Sequence, residues 1–255
     1  MGQIKTISAV ERTFTILEKL SLVSSSSLED LARASHLAKP TVYRFLQTLR
    51  ELGYVRKDEG DRWFLTMKLF SVGSRALDHI QLPVVAKPIC EELSRSLGET
   101  VHLGILDEDE ALYVLKVESR YTIRMYSRVG KHIPLYCTAI GKTFLAYMPE
   151  KDRETILSRL KLIPFTPHTI KEREALFKEL SEICQYGYAR DQEEHEEGIT
   201  CIAAPIFDGS STVVAALSVS WPVFRFEPAE LGSYIGAIKK AAGEISKILG
   251  YIEKG

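Results

Sequence analysis

Apolar positions at the start of the chain recur every three or four residues, the spacing that gathers side chains on one face of a helix. Val10, Phe14, Leu17 and Leu20 mark such a face over residues 8–21. The serine run Ser24 to Ser27 reads as a turn, and Ser27 with Asp30 has the spacing of a capped helix start. Leu28, Leu31 and Ala32 give the inner stripe of a short second helix. Val42, Phe45, Leu46 and Leu49 give that of a third, expected to begin at Pro40 and to stop at Gly53. The pattern then shortens to two alternating runs, 54–57 and 62–65, around Asp58-Glu59-Gly60-Asp61, which predicts a hairpin. Thr66 is the expected cap of a further helix. Its Leu69, Phe70, Val72, Ala76, Leu77 and Ile80 form an apolar surface too broad for a free linker, and Pro83 closes the segment.

Beyond residue 83 the period alternates between helix and strand. A helix is expected at 84–97, then strands at 101–106 and 111–117 joined by the acidic turn Asp107 to Glu110. Residues 121–127 alternate in strand fashion, with Arg124, Tyr126 and Arg128 on a common face. Helices follow after Thr138, at 151–160 and at 170–186, the last with Thr169 and Glu172 at capping-box spacing. Strands recur at 188–191, 199–207 and 212–221, before a helix from Pro228 to Leu249. Strand pairs with grouped helices predict an α+β domain with a mostly antiparallel sheet.

The outer face of the third helix is the first chemical signal. It presents Thr41, Tyr43, Arg44, Gln47 and Thr48, with Lys39 just before it, and it holds no carboxylate. A helix-turn-helix of this kind lays its second helix in the major groove of double-stranded DNA. Arg56, Lys57 and Arg62 of the hairpin are placed to reach phosphates, which fix register without reading sequence. Tyr43 either touches the nucleic acid or covers the edge of the core. The plain alternative for the whole segment is a helical bundle with a solvated polar face. The carboxylate-free face, the proline start and the following hairpin weigh against it.

A length of 255 residues favours two domains. An apolar share of 45% and a charged share of 26% are those of an ordinary globular protein. No apolar run reaches the roughly 18 residues of a membrane span, and the N-terminus lacks the layout of a signal peptide, so a cytoplasmic protein is expected. Cys90, Cys137, Cys184 and Cys201 are scattered and read as reduced, small hydrophobes rather than zinc ligands. Residues 1–82 carry 12 Lys and Arg against 9 Asp and Glu, a balance of +3, which leaves −4 for the remainder of a chain of net charge −1. A basic head on an acidic body suits a nucleic-acid contact confined to the head.

Four segments then identify a family resemblance: LAKPTVYRFLQTLRELGYV, YCTAIGKTFLAY, DQEEHEEGITCIAAPIFD and ALSVSWP, in this order between residues 37 and 222. Over essentially its full length the chain resembles the IclR family of bacterial transcription regulators. The resemblance implies a winged helix-turn-helix in residues 1–65, a linker helix in 66–82 and a GAF/profilin-like effector domain in 83–255. It also implies a homodimer or homotetramer on a palindromic operator. Within the family, TVYRFLQTLRELGYV and IRMYSRVGKHIPLYCTAIGK are similar to the pectin-degradation repressor type, which implies 2-keto-3-deoxygluconate as effector. Another small carboxylate (pyruvate, glyoxylate or an aromatic acid) is the alternative.

The residues themselves support an acid ligand. If the chain enters a helix at Thr138, the amides of Ala139 and Ile140 are unpaired at its N-terminus, an anion site. By resemblance a keto-acid carboxylate sits there, and Asp191, Cys201, Ser218 and Ser220 complete the pocket. The alternation Ser218-Val219-Ser220 puts both hydroxyls on one face of a strand. Met125 is expected to line the pocket, with Arg124 or Arg128 reaching a carboxylate or hydroxyl. Many relatives carry glycine where this chain has Trp221, and some where it has Ala139, so Trp221 either walls the pocket or lies outside it.

An enzyme, or a sensor with a non-binding head, is the reading from another class. The cluster Asp191 to Glu197 invites it, but Ile199 stands where H-E-x-x-H needs a second histidine. No nucleophile elbow, phosphate-binding loop or dinucleotide fingerprint appears either. Neither catalysis, cofactor nor metal is therefore expected. His102, mid-strand between apolar neighbours, reads as a hydrogen-bonded core or pocket residue rather than a metal ligand, although some relatives hold a metal in the effector domain, and His102, His132 and His195 are the residues that would serve one.

Overall fold

A computed structural model describes residues 7–78, 81–122 and 125–252, with the side chains of 73–81 also outside the description. The chain divides into two compact units, Met1–His79 and Ile80–Gly255. Among the described residues no helix is long and apolar enough to cross a membrane.

The first unit contains α1 (Ser8–Ser21), α2 (Leu28–Ala34), α3 (Lys39–Glu51), β1 (Val55–Lys57), β2 (Trp63–Leu65) and α4 (Met67–Asp78). Its core is Ile16, Leu17 and Leu20 of α1, Leu31 and Ala32 of α2, and Val42, Leu46 and Leu49 of α3, closed by Val55 and Trp63. Val10 and Phe14, expected inside, are half exposed, and Ile16 takes the inward place. Ser27 caps α2 as expected, accepting the amide of Asp30 at 3.1 Å and donating to its carboxylate at 2.7 Å. Helix α3 starts one residue early, with Ala38 as its cap and Pro40 in the first turn. It ends on Gly53, whose φ of +79° sends the amide of Tyr54 back to the Leu49 carbonyl. Ser26 pairs with Trp63 through both backbone bonds, which ties the α1–α2 turn to the hairpin.

The second unit is an antiparallel sheet of order β5-β4-β3-β8-β7-β6, as the α+β expectation required. Its strands are β3 (Thr100–Asp107), β4 (Glu110–Val117), β5 (His132–Ile133), β6 (Ala189–Gln192), β7 (Ile199–Phe207) and β8 (Val213–Pro222). Helices α5 (Gln81–Leu97) and α9 (Leu231–Ile248) cover one face over Val101, Leu103, Ile202, Leu217, Val219 and Trp221. The other face meets α6 (Ala139–Tyr147), with α7 (Glu150–Arg159) and α8 (Arg173–Tyr186) beyond it. Trp221 therefore belongs to the α5–α9 face, where it packs against Phe226 and Tyr234.

Four local expectations are corrected. The residues described within 121–128 form bends and loop rather than a strand, and Arg124 lies outside the described residues. Helix α5 begins at Gln81, so Pro83 falls in its first turn, where a missing amide is tolerated. Helix α8 begins at Arg173 because Thr169 is engaged elsewhere: it accepts the amides of Phe165 and Thr166 and donates to the Glu194 carbonyl at 2.6 Å. A short 3-10 turn at Pro228–Glu230 precedes α9.

Candidate functional site

On α3, Tyr43, Arg44 and Thr48 stand on the exposed side, with Thr41 and Gln47 partly exposed between them. Lys39 is exposed, but its ammonium lies 3.0 Å from Glu29 of α2. The hairpin cations are held within their own unit. Lys57 pairs with Asp61 at 2.6 Å, Arg62 donates to the hydroxyl and carbonyl of Ser25, and the Arg56 guanidinium covers the Phe64 ring. Arg44 is thus exposed with no acidic partner among the described residues, as is Arg50 in the last turn of α3, and the hairpin cations are tied to groups of their own unit.

The second site is built on the N-terminus of α6. Thr138 caps it, accepting the Gly141 amide at 3.0 Å and donating to the Pro134 carbonyl at 2.6 Å. Residue 141 has to be glycine, since a Cβ there would lie 2.4 Å from the Leu135 Cα. That approach presses the first turn of α6 onto the Pro134 and Leu135 backbone that leads into it. Ile140 is seated in turn on Gly104, where a Cβ would come within 2.8 Å of its Cγ2. The amides of Ala139 and Ile140 find no acceptor among the described residues, and both residues line a cleft of about 510 Å³, part of it open to solvent. Free N–H groups at the positive end of a helix favour an anion.

The sheet supplies the opposite wall through its register. Asp191, Cys201, Ser220 and Thr100 lie in one cross-strand row, and Ala203, Ser218 and His102 in the next. Asp191, Cys201, Ser218 and Ser220 all line the cleft, as does Met125. Arg128 is solvent-exposed, and the cation among the described lining residues is Lys131, 3.5 Å from Glu196. Sequence reasoning also missed Tyr113 and Ser127, and left His102 as a core or pocket residue. The readable signal was the hairpin, because pairing outward from the two-residue turn after Asp107 brings Tyr113 of β4 onto the part of β3 next to His102.

Polar groups in the cleft are ordered by burial. His102 accepts or donates at both ring nitrogens, 2.7 Å from Ser127 Oγ and 3.4 Å from Ser220 Oγ, and stacks on Tyr113 at 4.5 Å. Burial, with Lys116 and Lys131 nearby, pushes its pKa down to about 3, so the ring is neutral. The Cys201 thiol donates to Ser220 Oγ at 3.2 Å, and burial beside Asp191 raises its pKa well above the ordinary thiol value. Burial and the neighbouring Glu194 raise Asp191 to about 7, against the amides of Glu194 and His195 and the charge of Lys142, which pull it down.

Behind α6, Lys142 is wholly buried and pairs with Glu194 at 2.5 Å and with Glu179 of α8. Burial alone would lower its pKa, but the two carboxylates outweigh that and raise it. Glu194 in turn donates its amide to Asp191 at 2.8 Å, so one buried cation holds the loop whose amide binds the acid of the cleft. His102 is engaged by serines and His132 by Asp107, and no group of three or more metal-binding side chains converges among the described residues.

Two family models match the chain: the IclR helix-turn-helix domain over residues 9–59, and the C-terminal domain of bacterial transcriptional regulator IclR over residues 74–247. The HTH-type transcriptional regulator KdgR of Escherichia coli K12 is 42% identical over 246 residues, covering 96% of this chain and 94% of that protein. XynR, an HTH-type transcriptional regulator of the same organism, is 36% identical over 96% of this chain and 98% of its own length. The crystal structure of the Thermotoga maritima IclR superposes with a TM-score of 0.82 at 34% identity, covering 96% of this chain and all of that one.

Proposed function

The chain belongs to the IclR family and is a DNA-binding transcriptional regulator, not an enzyme, and from that premise we propose that it is a repressor released by a small 2-keto sugar acid. One observation carries the choice of ligand. Two open amides at the start of α6 face a sheet wall of hydroxyls, Ser218 and Ser220, with Asp191 beside them. The amides suit a carboxylate, and the wall suits a chain of hydroxyls. With the 42% identity to KdgR, this favours 2-keto-3-deoxygluconate.

In this reading Arg44, Thr41, Tyr43, Gln47, Thr48 and Lys39 meet the operator, and Arg56, Lys57 and Arg62 follow its phosphates. The functional division is residues 1–65 for the head, 66–82 for the linker and 83–255 for the effector domain. A cytoplasmic homodimer or homotetramer on a palindromic operator fits the exposed Met67, Phe70 and Val72 of α4 and Val10 and Phe14 of α1, a surface a second copy would cover. The effector acts only through its unequal affinity for the DNA-bound and released arrangements.

The test is a mobility shift on the chain's own upstream region at two salt concentrations, with and without the sugar acid. Salt-sensitive retardation relieved by 2-keto-3-deoxygluconate is expected. Retardation relieved instead by pyruvate, glyoxylate or an aromatic acid would overturn the ligand, and none at low salt would overturn the DNA-binding head.

A further inference from the structure

We propose that His102 and Tyr113, which lie outside the residue set that the family resemblance implied, form a specificity-determining wall that selects a polyhydroxylated acid over a short keto acid with the same head. The proposal rests on the reading of the cleft as a carboxylate site. Tyr113 pairs with Gly104, two residues along β3 from His102 and beside a register shift between Leu103 and Gly104, and the His102 ring stacks on Tyr113 with centroids 4.5 Å apart.

A neutral imidazole has one donor and one acceptor. If Nε2 carries the proton it donates to Ser127 Oγ, and Ser220 donates to Nδ1, which leaves the Ser127 hydroxyl proton free. If Nδ1 carries it, the roles reverse and the Ser220 proton is free. Either tautomer therefore leaves one serine with an O–H to offer. Ser218, only 3% exposed, and the Tyr113 hydroxyl have no hydrogen-bond partner among the described residues, and both line the cleft. The ring thus presents, with its neighbours, three hydroxyl groups opposite the α6 amides.

The nearby cations are already engaged. Lys116 donates to the carbonyls of Met125 and Ser127 and pairs with Glu118, and Lys131 pairs with Glu196. The wall is accordingly suited to hydroxyls rather than to a second carboxylate. An acid with only a keto-carboxylate head would leave buried hydroxyls unmatched, and sites built to bond a hydroxyl reject ligands that lack one.

Titration calorimetry of 2-keto-3-deoxygluconate and of pyruvate onto the full-length protein, its Tyr113→Phe variant and its His102→Phe variant tests this. Phenylalanine at 102 keeps a ring on Tyr113 and removes both nitrogens. The wild-type protein is expected to prefer the sugar acid, and the ratio of the two dissociation constants should fall about tenfold in each variant. An unchanged ratio, or a parallel loss of both acids, would overturn the wall while leaving the carboxylate site standing. Equal wild-type affinity for the two acids would do the same. A wild-type protein that bound neither acid would remove the site and the wall together. If His102→Phe does not fold by thermal melt, Tyr113→Phe alone decides, since it changes one oxygen.

Discussion

The exposed face of α3 and the cleft beneath α6 both present polar side chains to a ligand, but they are assembled in opposite ways. Thr41, Arg44, Gln47 and Thr48 come from one helix and stand wholly or partly in water. The cleft draws on α6, on all six strands of the sheet and on the loops beside them, and its Asp191, Ser218 and Ser220 are buried. Charge at the helix face acts through a high dielectric on a polyanion, where binding grows with the number of contacts and falls with salt. In the cleft a single proton or hydroxyl is decisive, because each group left unmatched there is costly.

The largest test of that contrast is Lys142→Met. Removing the buried cation strands Glu194 and Glu179, and a loss of about 3–5 kcal/mol from the C-terminal unit is expected by denaturant titration. The loss should shrink as the pH falls and Glu194, whose pKa burial raises above the usual carboxyl value, takes up a proton. A loss below about 1 kcal/mol would mean that charges behind the cleft matter no more than surface pairs, and the contrast would fail.

Next in size is Arg44→Ala, expected to weaken operator binding by about 1–3 kcal/mol per head and to flatten its salt dependence, as read by fluorescence anisotropy. Unchanged affinity and sequence preference would remove α3 as the reading helix.

Asp191 supplies a smaller effect with a defined sign. Its acid form persists to about pH 7 in the folded protein, so it does not repel an anionic effector below that value and does above it. His102 stays neutral across the range. Effector affinity should therefore drop between about pH 6 and about pH 8, and Asp191→Asn should abolish the drop. The same raised value means that wild-type stability declines as the pH rises from the ordinary carboxyl value of 3.8 to about 7, because the unfolded chain ionises first. A flat calorimetric profile in the wild type would contradict both. The smallest effect is Ser27→Ala, a loss of about 1 kcal/mol from the first unit through the α2 cap. A melting point unmoved by that change would show that the Ser27 bonds to Asp30 carry no net stability.

Legibility followed the same division. The α3 face could be read because one period places Leu46 inside and Arg44 outside. Thr138 and the Ser218-Val219-Ser220 alternation could be read because capping and strand faces are local rules. Val10 and Phe14 misled because α1 is apolar on two sides, and periodicity does not say which side meets the core. Thr169 looked like a cap until a tertiary partner, the Glu194 carbonyl, engaged its hydroxyl. Tyr113 was within reach of the hairpin pairing, which sets it opposite Gly104, but its stacking on His102 is a tertiary contact that no residue type announces.

The groups that α6 offers to the proposed acid are main-chain amides, and this has a consequence for how such a regulator changes over generations. Short of proline, no substitution at 139 or 140 deletes an N–H. Gly141 bars drift in the position of that turn, since any side chain there meets the Leu135 backbone. The end proposed to hold an acid is therefore shielded from mutation, while the facing strands hold side chains that single codon changes can replace. New effectors in such a scaffold would arise by exchanging the tail of the molecule recognised, with its acidic head retained.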